Sequence, residues 1–267
     1  SWVQPISVMI NKIFASYLNN GLAVSGLEYA NRLYIIIVGV FAFGITNYIF
    51  PSLSKKSGGG DSEGFVDVMK QSLRVMLIII APIMAGMMIL SEQIITLVYG
   101  RGAFDETSIL MTSTALFFYS IGMAAYGTNE ILNKCFYAAK DGKTPMYSSI
   151  AGIAVTAASA FILTRFFGFG IGGLALSSAI AAIVVSIILL INMNKKSENF
   201  IDRQLVVFVL KIISATIIMA VAAYFTRLAA SQFGTLIQTG LTAIAGAIVY
   251  FPLLYLFNIR EVREVLK

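Results

Sequence analysis

The stretch LEYANRLYIIIVGVF, residues 27–41, decides how this chain is read. From Tyr34 onward it is an apolar helix suited to lipid. Its first turns carry Glu28, Asn31 and Arg32. A charged side chain at the centre of a bilayer costs several kcal/mol by the lower estimates. An arginine on such a helix therefore needs a partner, a wet surface or a task.

The rest of the chain agrees with a membrane setting. It has 267 residues, 58% of them apolar and only 12% charged, with mean hydropathy +0.85. Charged residues are about half as frequent as in soluble domains. There is no histidine and a single cysteine, Cys135. A Ser-His-Asp triad, a Cys-His pair, a zinc site of His and Cys ligands and an internal disulfide are all outside its means. No cofactor is expected, and an enzyme finds no support beyond scattered carboxylates. The sequence begins at Ser1 without a recognisable signal peptide, so a piece of a longer protein is expected.

A membrane helix needs about 20 mostly apolar residues. Breaks at Gly, Pro and charge clusters give about eight transmembrane helices: Trp2–Leu18, Gly26–Leu53, Phe65–Leu90, Ser108–Ala139, Pro145–Phe167, Ile171–Met193, Leu205–Ala230 and Thr235–Phe257. The expected fold is all-α, a polytopic membrane helical bundle. Ile94–Phe104 reads as an interfacial turn. Short connections imply antiparallel neighbours.

The positive-inside rule tests this map. Lys55, Lys56, Lys70, Arg74, Lys134, Lys140, Lys143, Lys195, Lys196, Arg203, Lys211, Arg260, Arg263 and Lys267 fall on one side. Arg101, Arg165 and Arg227 fall on the other, and Lys12 and Arg32 lie within spans. The asymmetry places SKKSGGGDSEG, KDGKTP, NKKSENFIDRQ and the C-terminus in the cytoplasm. It also accounts for the net charge of +6, because cytoplasmic Lys and Arg sit beside anionic headgroups. Nucleic-acid binding is not implied. KKSGGGDSEG reads as a flexible connector, since no strand precedes it and no Gly-Lys-Ser/Thr ends it.

Several polar residues stand at membrane depth. Asn11 and Lys12 lie in the first span. Lys12 has two readings, an amine that snorkels to the outer interface or a cation facing a wet cavity. Arg32 follows Glu28 by four residues, so the two share a helix face and can pair. The competing reading makes Arg32 a cavity cation for an anion. Its planar fork stays charged and grips phosphate with two hydrogen bonds. With Lys12 at similar depth, the two cations suit a pyrophosphate, with Glu28, Asn31 and Asn11 beside them. Glu130 and Lys134 form another i, i+4 pair, read as a clamp or gate near the cytoplasmic end. Tyr119 and Tyr126 read as packing residues. The spans Leu205–Ala230 and Thr235–Phe257 are nearly free of charge and look lipid-facing.

The segments INKIFASYL, YANRLY, FPSLSKK, YGRGAFD, FYAAKDGKTP and GIGGLALSSAIA resemble, in order and spacing, the MurJ/MviN-type lipid II flippases of the multidrug/oligosaccharidyl-lipid/polysaccharide exporter superfamily. The resemblance covers nearly the whole chain. It implies a fourteen-helix transporter of two six-helix lobes and a final helix pair. This chain would supply the second lobe, residues 1–194, and the C-terminal pair with its cytoplasmic tail, 195–267. The missing N-terminal lobe becomes the expected partner, together with membrane lipids and lipid II or a related polyprenyl-linked glycan.

The implied activity is transfer of lipid II from the inner to the outer leaflet of the bacterial cytoplasmic membrane, for peptidoglycan synthesis. Alternating access between lobes would carry the headgroup through a cationic cavity, with Arg32 matching the family's cavity arginine in its YA-D/N-R-L motif. Some members use a sodium site with Asn and Asp on the helix matching Pro145–Phe167. This chain offers only Thr156, Ser159 and Thr164 there, so no cation site of that design is expected. Membrane potential, worth about 2.3 kcal/mol per charge per 100 mV, is an alternative driver. Two further readings stay open: export of another polyprenyl-pyrophosphate-linked glycan, and a non-transporting cell-wall scaffold.

Overall fold

The computed structural model describes residues 3–18, 21–197, 200–259 and 261. These residues form α1 (Val3–Ser16), α2 (Leu22–Gly58), α3 (Ser62–Ile89), α4 (Ser91–Tyr99) and α5 (Glu106–Ile121). They continue as α6 (Met123–Ala138), α7 (Lys143–Arg165), α8 (Gly170–Lys196), α9 (Arg203–Ala229) and α10 (Thr235–Leu256). The all-α membrane bundle is the observed architecture.

The helices α2, α3, α7, α8, α9 and α10 are each long and apolar enough to cross a membrane. The pair α5 and α6 passes the same test together but is bent by 50°. The apolar α1 has 14 described residues, about 21 Å at 1.5 Å per residue. Trp2, placed at the start of the first span, and Arg260, Arg263 and Lys267 in the charge map lie outside the described residues.

Three local features differ from expectation. The span Ser108–Ala139 is broken at Gly122. An added Cβ there would stand 2.8 Å from Ala179 Cα, so glycine lets the backbone of α8 press against the joint. The connector KKSGGGDSEG is mostly helix. Helix α2 continues through Pro51, Lys55 and Lys56, and only residues 59–61 join it to α3. The turn is held locally: Gly59 N–H donates to Lys55 O at 3.0 Å, and Lys56 Nζ pairs with Asp61 at 2.8 Å. Asp61 in turn accepts from Gly64 N–H at 2.9 Å, capping α3. Ile94–Phe104 is partly helical, since α4 runs to Tyr99 and buries Ile95.

Two apolar clusters hold the bundle. The larger joins α1–α8 around Leu53, Met69, Met76, Leu116, Ile131 and Phe136, all fully buried. The smaller joins α9 and α10 to α3 through Ala81, Ala85, Phe208, Ala215, Met219, Tyr250 and Leu254. Tyr250 Oη donates to Ile78 O at 3.0 Å. The last two helices therefore dock on α3, while Ile213, Ile217, Phe225 and Ile248 stay exposed on their outer side. In lipid an outward apolar face costs nothing, and close backbone approach carries helix association. Such approaches occur at Gly152, where an added Cβ would lie 2.7 Å from Val185, and at Gly172, where it would lie 2.7 Å from Phe118.

The ends of the bundle sort by charge. Lys70 pairs with Asp202 at 2.5 Å, Arg74 with Glu261 at 3.3 Å, and Lys196 with Asp141 at 2.6 Å. Lys211 Nζ donates to Phe257 O at 2.7 Å. Arg227, assigned to the opposite side, donates to Ile89 O at 2.9 Å, at the far end of α3 from Lys70.

Asp141 accepts the N–H groups of Lys143 and Thr144 at 3.1 and 3.0 Å, which would otherwise be free at the start of α7. The Lys196 ammonium, first, and the Thr144 N–H hold its carboxyl well below the usual carboxylate range. A lowered pKa means that the stabilisation is present above the unfolded value, about 3.9, and is lost as pH falls below it. Asp141→Ala is expected to cost about 1–2 kcal/mol at pH 7, mostly from the lost helix start. The half-exposed Lys196 adds only about 0–1 kcal/mol of that. Melting temperatures at pH 7 and pH 3 check this, since the gap between wild type and variant should narrow at the lower pH.

Candidate functional site

Lys12 on α1 and Arg32 on α2 meet at one carboxylate. Lys12 Nζ lies 3.2 Å from Glu28 Oε2, and Arg32 donates to Glu28 Oε1 at 3.0 Å. The Glu28–Arg32 contact follows from i, i+4 spacing on one helix. The Lys12 contact is made between helices. The side chains are 39% exposed for Lys12 and Glu28 and 64% for Arg32. Pairs this exposed are worth about 0–1 kcal/mol each, so Glu28 holds the cations loosely. With Asn31 they line a hollow of about 170 Å³.

Asn11 borders the same hollow, but its amide is turned into α8. Its Nδ2 donates to Leu174 O at 3.1 Å and to Ser178 Oγ at 2.7 Å, and its Oδ1 accepts from Ser177 Oγ at 3.2 Å. All three partners lie on α8, and Asn11 is 1% exposed. The amide thus ties α1 to α8. Asn11→Ala strands buried polar atoms, each costing about 1–3 kcal/mol. The expected result is a lower melting temperature for the purified protein, and a variant as stable as wild type would remove this clamping role.

Asn31 also reaches a second, partly open cavity of about 110 Å³ between α1, α2, α5, α6, α7 and α8. Its polar lining includes Ser7, Tyr34, Tyr119, Tyr126, Asn129, Glu130, Asn133 and Thr156. Tyr34 stacks on Tyr119 with ring centroids 5.6 Å apart and meets Tyr126 edge-on at 5.8 Å. Sequence reading took the two tyrosines for packing residues and passed over Tyr34. The signal available was Tyr34 three residues after Asn31, one turn along the same face.

The expected Glu130–Lys134 ion pair is absent among the described residues. Lys134 Nζ instead lies 5.6 Å from the centroid of the Phe50 ring, a cation–π contact. Glu130 lines the 110 Å³ cavity. Thr156, Ser159 and Thr164 donate back to carbonyls of their own helix, Gly152, Val155 and Ala160. Thr156 Oγ1 also lies 3.4 Å from Ser7 Oγ on α1 as a second acceptor. Among the described residues no group of three or more His, Cys, Asp or Glu gathers into a metal-holding cluster.

The YGRGAFD motif is structural in its contacts. Tyr99 and Phe104 pack on Tyr29 with centroids 4.8 and 5.6 Å away. Asp105 accepts from Ser108 N–H at 2.9 Å and caps α5. Tyr29 neighbours Glu28 in sequence, so this aromatic cluster fixes the stretch of α2 that presents the ion-pair group.

In sequence the chain is similar to lipid II flippases. "Probable lipid II flippase MurJ" of Thermotoga maritima is 27% identical over 265 residues, covering 99% of this chain and 52% of the relative. "Lipid II flippase MurJ" of Thermosipho africanus is 29% identical over 226 residues, 84% of this chain and 43% of the relative. A solved lipid II flippase MurJ in an inward closed conformation superposes with TM-score 0.74 at 28% identity, covering 99% of this chain and 52% of that one. A MATE transporter in a bent conformation shares the fold at TM-score 0.63 and 18% identity, covering 98% of this chain and 64% of that one. The chain spans about half the length of the flippases it matches. The bacterial relatives and the apolar helices make it a multi-pass protein of the cytoplasmic membrane. The family model of lipid II flippase MurJ matches residues 1–242, and the chain belongs to that family.

Proposed function

We propose that the chain is the second lobe and final helix pair of a transporter that carries lipid II from the cytoplasmic to the outer leaflet. The observation that carries this reading is the Lys12–Glu28–Arg32 group, two exposed cations held by one carboxylate. A pyrophosphate offers Arg32 charge-assisted, bidentate hydrogen bonds, roughly twice as strong as neutral ones. Glu28 holds Arg32 with only about 0–1 kcal/mol at this exposure, so the exchange favours the substrate. Asn31, shared by both hollows, adds a neutral donor beside the anion.

The transport step needs no covalent chemistry. The headgroup has only to be shielded from hydrocarbon while the two lobes rock about it, as in other repeat-built transporters. The last two helices, docked on α3 and apolar outside, border the path of the polyprenyl tail. The test is rescue. Cells depleted of their own lipid II flippase should grow and show lipid II in the outer leaflet when given the intact gene of this protein. No rescue at matched membrane levels would shift the substrate to another polyprenyl-pyrophosphate-linked glycan.

A further inference from the structure

We propose that α6 carries a subsite for an amide N–H of the transported headgroup, the acetamido group of the sugar joined to the pyrophosphate. Asn129 and Asn133, about one turn apart on α6, are its acceptors and determine specificity. This subsite rests on the lipid II reading. It adds what the Lys12–Glu28–Arg32 group lacks, a means of telling one sugar from another.

The first observation is a pair of orphaned oxygens. Asn129 Nδ2 donates to Ala182 O at 3.0 Å, which sets the orientation of that amide. Its oxygen, Asn129 Oδ1, is buried with no hydrogen-bond donor, and so is Asn133 Oδ1. Asn129 is 8% exposed, and both residues line the 110 Å³ cavity. A buried acceptor without a partner is destabilising and calls for an explanation. An N–H that arrives with the substrate supplies one.

The second observation is where the cavity lies. It shares Val8, Asn31 and Tyr119 with the hollow of Lys12, Glu28 and Arg32. A pyrophosphate held by those two cations sets its first sugar beside the cavity. The lining suits each part of an acetamido group. Ala181, Ala182 and Val185 of α8 form an apolar wall for the methyl. The Tyr34 phenol, also on the wall, donates to the carbonyl oxygen, and α6 accepts the N–H. A ring hydroxyl is a donor too, but it brings neither methyl nor carbonyl to the rest of the lining. The space is ample for a side group of four heavy atoms, since about 10–15 Å³ holds one water. Glu130 is the one charged residue among the described residues lining the cavity. Its carboxylate repels phosphate, so the headgroup seats one way round, with its phosphates on the cations and its acetamido group inward.

The experiment is equilibrium binding of three synthetic ligands to the intact protein in nanodiscs. The first is a polyprenyl pyrophosphate joined to N-acetylglucosamine. The second carries an O-acetyl ester at the same carbon, which keeps the size and the carbonyl and removes only the N–H. The third is the bare polyprenyl pyrophosphate. Wild type should prefer the acetamide to the ester by about tenfold or more, because the ester leaves buried acceptors unpaired. Asn133→Ala should bring that ratio close to one and leave affinity for the bare pyrophosphate unchanged. Equal binding of acetamide and ester by wild type, or an unchanged ratio in Asn133→Ala, overturns the subsite and leaves the lipid II reading standing. So does an equal loss on all three ligands in Asn133→Ala, which would mark a structural residue. A wild type that binds none of the three overturns the lipid II reading, and the subsite with it.

Discussion

Arg32→Ala is expected to abolish rescue of flippase-depleted cells, with the protein still present in the membrane at wild-type level. Arg32 is 64% exposed and its ion pair with Glu28 spans only one helical turn, so its loss costs the fold about 0–1 kcal/mol. Its loss to a bound pyrophosphate is larger, because charge-assisted hydrogen bonds contribute about 1.5–3 kcal/mol each. Two such bonds lower affinity by about a hundredfold or more. Arg32→Lys keeps the charge and loses the fork, so partial rescue is expected. Full rescue by all three proteins would reduce Arg32 to a helix-surface residue. Growth and outer-leaflet lipid II, measured together, separate a transport defect from a general sickness of the cells.

Gly122→Ala is expected to destabilise the bundle strongly for a single added methyl group. The new Cβ meets backbone, Ala179 Cα at 2.8 Å, and also Ala179 Cβ at 3.1 Å. Backbone cannot swing aside as a flexible side chain can, so α8 must move away from the α5–α6 joint. Overpacking of this kind costs about 1–3 kcal/mol. Gly86→Ala is the control, because a Cβ there meets nothing within 4 Å. Replacing a glycine inside α3 should hold stability or raise it by about 0.5–1 kcal/mol. In detergent the melting curve of Gly122→Ala should therefore fall, while that of Gly86→Ala holds or rises. A Gly122→Ala protein as stable as wild type would show that the bend is set elsewhere.

Much of this protein is local and was legible as such. Apolar runs of membrane length, separated by Lys-rich turns, are a property of consecutive residues, and they locate most of the helices and both ends of the bundle. The Glu28–Arg32 contact is equally local, since one helical turn brings any i, i+4 pair together. Asp105 and Asp141 hold helix starts by equally short-range contacts, which sequence reading passed over.

Tertiary structure decided which faces those helices turn inward. A membrane helix is apolar on every side, so hydropathy carries little record of its buried face. Lys12 reaches Glu28 across the turn at Gly21. Asn11 turns to α8, 163 residues away in sequence, and leaves the cation group beside it. Glu130 and Lys134 have the spacing of an ion pair, yet one lines the cavity and the other lies over Phe50. The break at Gly122 depends on how closely Ala179 of α8 approaches. Each of these outcomes is settled by side chains that meet across helices, where polar groups must find partners or water and small residues set the distance of approach. Sequence periodicity within a single helix holds no information about that distance.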